Sequence, residues 1–486
     1  MKKLIAYIGI AGSVLLIQFS CTKKFEEINT NPNSPVNAPT TNVLAFVLQS
    51  FGASFFDSWG NMNEPESYGG HLGKIQYLDE SRYIYRTGTV SNLWNSLYRV
   101  AKNAQAVIDQ AKASNAVNME AAAMTFQAYV WQIATDRWRD LPFSQAVRGD
   151  NGFITPKYDK QEDIYTAIIA QLKTAADLFA QNAPDPLGPG DLLYAGNLTK
   201  WKKFCNSLRL RVAIRISNID ATRSKSIIEE VTGNATKYPI FTSNADNAFF
   251  TWTAGTPYQE PWYVDFKTRD DHGISKPFVD SLKSLNDPRL SIYAKPAASD
   301  GQYRGVEIGP PGNLPAIGQY SRIGVRFRET PAGFSPFMRY SEIQFILAEA
   351  ALKGWSVGVT ATAAYNNGVT ASLNENGITD ATVISTYINS AKVLWAANVK
   401  QIYMQKWLAL YKDGHETWAE ERRNDFPLLP AASGSPFPGH NRPPFRYPYP
   451  TEETTLNGNN SAASVADVKD DFWGKKMWWD TRTGVQ

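Results

Sequence analysis

Cysteine and histidine are scarce: two and four in 486 residues. Two thiols cannot build a disulfide framework. His71, His272, His415 and His440 stand far apart, without metal-ligand spacing. His415-Glu416 begins like a zinc-protease motif, but Ala419 occupies the second histidine position. The G-x-S-x-G, G-x-G-x-x-G and P-loop patterns are missing, which removes the usual nucleophile elbow and phosphate cradles. No catalytic residue, metal ligand or cofactor is expected. Charge of one sign is lacking too. The formal net charge is +3, so nothing in it draws nucleic acid or an anionic surface. The apolar run Leu4–Ile17 is shorter than the ~20 residues a spanning helix needs.

The N-terminal residues have a different reading. Lys2 and Lys3 precede the apolar run, and Gln18-Phe19-Ser20 leads to Cys21. A basic segment, a short apolar segment and a small residue describe an export signal. A cysteine in the next position is the acceptor that lipoprotein acylation requires, and several acyl chains anchor stably where one is marginal. Residues 1–20 are therefore read as a lipoprotein signal peptide and Cys21 as the lipid anchor. Residues 21–40, with Pro32, Pro35 and Pro39, are read as a tether. Without Lys2 and Lys3 the chain carries 47 basic against 46 acidic side chains. Cys205, between Phe204 and Leu208, reads as a small buried hydrophobe.

From about residue 90 the pattern is helical. Trp94, Leu97, Ala101, Ala104 and Ile108 recur at helix spacing, as do Phe126 to Ile133, Ile164 to Phe179 and Trp201 to Val212. Ser91 and Thr199 are candidate helix starts. The period returns at Tyr340 and continues through 361–373, 383–395 and 399–411. Similar amphipathic helices joined by short loops predict an all-α fold of stacked, TPR-like helical hairpins. Residues 221–337 break the pattern with Gly305, Gly309, Pro310, Pro311, Gly312 and Pro315. The reading is a single domain over 41–486. Its helical core covers 90–220 and 338–425, and a loop-rich excursion covers 221–337.

Chemistry is sought in the aromatic residues, 14 Trp, 23 Tyr and 24 Phe. Two loop clusters stand out. One holds Trp59, Tyr68 and Tyr77 among Asn and Gly; the other holds Trp252, Tyr258, Trp262 and Tyr263 with Arg269 and Asp271. Flat rings beside amides, carboxylates and guanidinium groups suit sugars, whose C–H faces stack and whose hydroxyls take polar partners. Asp136 and Asp140, interleaved with Arg137 and Arg139, read as a salt-bridged helix end. Glu342 and Glu349 read as caps or interhelix contacts. A glycosidase needs only two carboxylates about 5–9.5 Å apart, so a hydrolase stays open as a third class behind glycan and peptide binding.

Several segments, in order, resemble the SusD/RagB family. They are Cys21 with Phe25-Glu-Glu-Ile-Asn-Thr-Asn-Pro32, then Asp136-Arg-Trp-Arg-Asp140-Leu-Pro-Phe-Ser144, then Tyr158-Asp159 to Tyr165. Trp201 to Arg211, Asp287-Pro-Arg-Leu290, Tyr340-Ser-Glu342 to Ala350 and Trp478-Trp-Asp480 complete the set. The resemblance implies a surface-exposed, lipid-anchored outer-membrane protein with a TPR-like helical core and a loop-borne ligand face. It further implies that the protein captures oligosaccharide, or sometimes peptide, and delivers it to a SusC-like TonB-dependent transporter without catalysis. Family ligand residues vary, so the site list rests on aromatic placement alone.

Overall fold

The computed structural model describes residues 38–486. Helices of six residues or more are α1 (Thr40–Phe55), α2 (Thr87–Ala113), α3 (Val117–Trp138), α4 (Gln161–Ala180), α5 (Leu198–Arg215) and α6 (Ala221–Thr232). After the loop region's short α7 (Pro261–Phe266) and α8 (Lys276–Ser284) come α9 (Tyr340–Leu352), α10 (Ala361–Glu375), α11 (Ala381–Ile388), α12 (Val399–Ala409) and α13 (Gly414–Asn424). Two short helices, α14 (Thr451–Leu456) and α15 (Gly458–Ala466), precede the C-terminal tail. Strands of three residues or more are β1 (Leu72–Lys74), β2 (Ala248–Thr251), β3 (His272–Ile274) and β4 (Phe334–Met338).

Consecutive helices α2 to α6 each pack on the next, and α9 packs on α10 and α12. α2 shows why. Val90, Leu93, Trp94, Leu97, Val100, Ala101, Ala104, Val107 and Ile108 form one buried stripe, the spacing that brings residues three and four apart onto one face. α5 touches both α3 and α9, so it joins the two halves. It does so with charge as well as apolar surface. Arg211 donates to Glu342 of α9 (Nε to Oε1, 2.7 Å), and Arg215 donates to Glu420 (2.6 Å) and Glu416 (2.5 Å) of α13. Arg423 of α13 grips Glu349 of α9 at 2.9 and 2.7 Å. All of these side chains are buried. Glu342 and Glu349 are thus interhelix partners.

Four boundaries differ from the sequence reading. α1 fills a stretch where no helix was expected; its Leu44, Val47, Leu48, Phe51 and Phe55 pack against α2 beyond the proline-rich tether. α6 lies inside the expected excursion; it is short, and buries Ser224, Ile228 and Val231. α13 was invisible because its buried positions are largely charged or polar: they include Glu416, Glu420, Glu421 and Arg423, which form ion pairs, and His415 and Arg422, which bond backbone carbonyls. α11 ends at Ile388, well before Trp395. The helix starts shift too. α2 begins at Thr87, and Ser91 lies inside it with its hydroxyl on Glu452; α5 is capped by Asn197, which accepts from Lys200 N–H at 3.1 Å, rather than by Thr199.

Asp136 and Asp140 do end α3 among cations, but mostly through distant partners. Asp136 faces Arg215 at 3.4 Å, and Arg139 reaches Asp140 at 2.7 Å. Cys205 is fully buried, and burial pushes its thiol up to about 11, which keeps it protonated and inert. Cys21 lies outside the described residues. No helix among the described residues is long and apolar enough to cross a membrane.

Candidate functional site

The two aromatic loop clusters meet through one short ladder. β1 pairs antiparallel with β3, Lys74 opposite His272 and Leu72 opposite Ile274. The ladder carries the turn after β1 against the turn before β3. Tyr77, 66% exposed, sits on the first turn. The guanidinium of Arg269, on the second, lies 5.6 Å from the Tyr77 ring centroid, and the Lys74 ammonium lies 6.0 Å from it. Tyr77 holds φ = 53°, a left-handed conformation that costs a bulky residue about 1–2 kcal/mol. Such strain at an exposed ring points to a position kept for contact rather than for folding.

From Tyr77 a row of charges runs to Trp59. Lys74 pairs with Glu80 at 3.1 Å, Glu80 with Arg86 at 2.7 Å, and Arg86 lies 5.9 Å from the Trp59 ring centroid. Trp59, 41% exposed, belongs to a five-residue π-turn, Ser58–Met62. Asp57 caps that turn by accepting from Gly60 N–H at 2.5 Å. Only glycine fits at position 60, because a Cβ there would lie 2.2 Å from the Ser54 carbonyl oxygen. Asn61 pins the turn to the loop before α13: its amide donates to the Lys412 carbonyl (3.0 Å) and accepts from Gly414 N–H (2.9 Å).

Trp59 rims a cleft of ≈ 400 Å³ between this turn and the first turns of α2. Ser54, Asp57, Thr89, Asn92 and Ser96 supply its polar wall. The first amide hydrogens of a helix have no intrahelical acceptor, and no N-cap side chain takes those of α2. Burial pushes the Asp57 carboxyl up to about 7, against the pull of the Gly60 and Trp59 amides and Arg137. The cleft therefore offers an aromatic face, a carboxyl that exchanges its proton near neutrality, an amide, hydroxyls and a helix N-terminus.

Four of the residues expected at a ligand surface are buried. Tyr68 packs between Tyr83 and Trp418 at 5.5 and 5.2 Å. Trp262 is fully buried, with the Lys412 ammonium 4.9 Å from its ring. Trp252 is 4% exposed and donates its indole N–H to Ser335 at 2.9 Å. Asp271 is buried, 3.1 Å from Lys74. Tyr68, Trp262 and Asp271 are too enclosed to stack on or bond a sugar without unpacking the core, and Trp252 keeps only an edge at the surface. Their spacing in sequence does not distinguish them from exposed rings; only packing does. Tyr263 is half-buried, with Lys267 5.6 Å from its ring. Tyr258, 54% exposed, borders a separate cleft of ≈ 480 Å³ with Phe46, Gln49 and Leu192, and Trp252 forms part of its wall. Sequence reasoning missed Asp57, Arg86 and Asn92. An Asp before Ser58-Trp59-Gly60 was the one available signal, since Asp is a preferred capping residue.

Residues 32–450 match the family model SusD-like, described as "Starch-binding associating with outer membrane". The chain belongs to this SusD-like family. Solved structures agree on the SusD-like fold. A structure described as "chitin-binding protein" is 27% identical at TM-score 0.80, covering 91% of this chain and 100% of its own. A SusD homologue from Bacteroides uniformis ATCC 8492 is 24% identical at TM-score 0.78, over 92% of this chain and 100% of its own. A chitin-binding SusD homologue from Flavobacterium johnsoniae is 21% identical at TM-score 0.78, over 91% and 98%. No curated protein matches the sequence. The expected all-α, TPR-like architecture is thus that of the SusD-like fold.

Proposed function

We propose that this protein binds oligosaccharide at the face carrying Trp59 and Tyr77 and passes it to a SusC-like TonB-dependent outer-membrane transporter. The observation that carries the reading is the Trp59 cleft. A sugar ring stacked on the indole would set its hydroxyls against Asp57, Asn92 and Ser96 and against the amide hydrogens that open α2. Tyr77 with Arg269 supplies a second platform on the same face. The SusD-like membership and the chitin-binding description of a 27%-identical structure support a glycan as ligand. Binding without turnover is part of the proposal, as is attachment to the outer membrane through acylated Cys21.

The test is calorimetry with chito- and malto-oligosaccharides on the chain from Thr22 onward, beside a peptide panel. Saturable binding of one glycan class, weakened by Trp59→Ala, is the expected result. Saturable binding of peptides alone would replace the glycan reading. Glycan binding unaffected by both Trp59→Ala and Tyr77→Ala would move the site elsewhere, and release of reducing ends would make the protein a hydrolase.

A further inference from the structure

Beside the Tyr77–Arg269 platform the chain folds Asp265, Asp271 and His272 together, one donor atom from each within 4.8 Å of those of the other two. Asp271 and His272 are 3% and 2% exposed, and Asp265 is half-buried. Acidic clusters alone say little, but this one holds buried side-chain atoms that lack well-formed hydrogen bonds. His272 Nε2 lies 2.7 Å from Asn63 Oδ1. The tautomer that donates from Nε2 leaves a lone pair on Nδ1. In it Nδ1 faces Asp271 Oδ1 at 3.3 Å; neither atom has another hydrogen-bond partner, and Asp271 Oδ2 has only the Lys74 ammonium at 3.1 Å. A separation of 3.3 Å is the edge of a tetrahedron of ligands about 2.0–2.1 Å from a central metal ion.

The protein's own cations do not fill this gap. Lys74 stands 3.1 Å from Asp271 Oδ2 but is shared with Glu80 at 3.1 Å. Arg328 takes Asp265 Oδ2 at 3.1 Å but is shared with Asp270 at 3.0 Å. Each cation approaches one oxygen and leaves the second oxygen of its carboxylate for another partner. Lys74 and Arg328 thus sit where outer-shell groups orient ligating carboxylates.

We infer that Asp265, Asp271 and His272 form a divalent transition-metal site, of the zinc class, which closes the turn presenting Arg269. An imidazole nitrogen among the donors favours zinc over calcium or magnesium, which prefer all-oxygen shells. Three protein donors leave a fourth position for water. The inference stands on the cluster itself and does not depend on the glycan reading.

The measurement is metal content and thermal midpoint of the full-length mature chain, stripped with chelator and titrated with Zn²⁺ or Ca²⁺. Roughly one zinc per chain should be retained after desalting, and the midpoint should rise with Zn²⁺ and not with Ca²⁺. Asp265→Asn, at the half-buried position, should fold and lose both the retained zinc and the shift; His272→Gln should behave alike. Absence of zinc binding in the parent chain would overturn the site. So would zinc binding that survives Asp265→Asn and His272→Gln but vanishes in His440→Asn, since His440 pairs with Asp470 at 3.0 Å on the surface and is the competing location. A calcium-only response would likewise overturn it.

Discussion

Trp479 donates its indole N–H to Asp136 Oδ1 at 2.9 Å, across 343 residues of sequence. The same carboxylate accepts from the Tyr165 hydroxyl (2.5 Å) and faces Arg215 (3.4 Å). The C-terminal tail is thus tied to the junction of α3, α4 and α5. Both ends of the bond lie in segments that carried the family resemblance, Asp136-Arg-Trp-Arg-Asp140 and Trp478-Trp-Asp480, so the likeness of two remote motifs reflects one contact.

Trp479→Phe should therefore be destabilising while leaving the ligand face untouched. The substitution keeps an aromatic ring but strands part of a buried carboxylate, which costs about 1–3 kcal/mol. Urea unfolding should show a lower midpoint with an unchanged slope.

Glu342→Gln should cost more. Arg211 is buried and bonded to Glu342 through both Nε and Nη2. Removing one partner of a buried pair leaves an uncompensated charge and costs about 3–5 kcal/mol. A loss below about 1 kcal/mol in the same unfolding assay would mean that Asp413 and Glu416, at 3.8 and 3.6 Å, already satisfy the guanidinium.

Exposed and buried rings should separate cleanly. Trp59→Ala and Tyr77→Ala should leave the thermal midpoint nearly unchanged and weaken glycan binding about tenfold, the loss of a stacking contact worth about 1–1.5 kcal/mol. Trp262→Ala should do the reverse, lowering stability by about 3–5 kcal/mol through the cavity it leaves. Paired melting and calorimetry on the three variants decides it.

Asp57 links the cleft to pH. Burial pushes its carboxyl up to about 7 in the folded chain, from an ordinary value of 3.8. Between those values the native state holds a proton that the unfolded chain has lost, so this group's contribution to stability falls as pH rises from about 4 to 7. Asp57→Asn keeps the acceptor for Gly60 N–H and removes the titration. The midpoint of Asp57→Asn relative to the parent should climb across that window and level off above it. A constant offset would show that Asp57 ionises normally.

The helices were legible where burial is apolar and periodic. α2, α4 and α5 announce themselves because their stripes recur every three to four residues. α13 did not, because the structure buries charges there and satisfies them with partners from α5, α9 and α12, and no local pattern encodes partners so far away. The loop clusters were half legible. Sequence located the aromatic segments 59–77 and 252–271, but Tyr68, Trp252 and Trp262 look the same in a sequence as Trp59 and Tyr77. Whether a ring faces solvent depends on what packs on it: Trp418 on Tyr68, Ser335 on Trp252, Lys412 on Trp262.

By itself, the sequence determined the helical class, the lack of known catalytic motifs and the existence of two aromatic loop regions, since these follow from composition and short-range period. Only the tertiary structure decided that Arg269 meets Tyr77, because the β1–β3 ladder joins residues 200 positions apart. It alone set Asp57 and Trp59 across a cleft from the start of α2 and turned the His272 ring toward Asp271. Burial, proton affinity and ligand geometry arise from neighbours that the chain supplies only once folded.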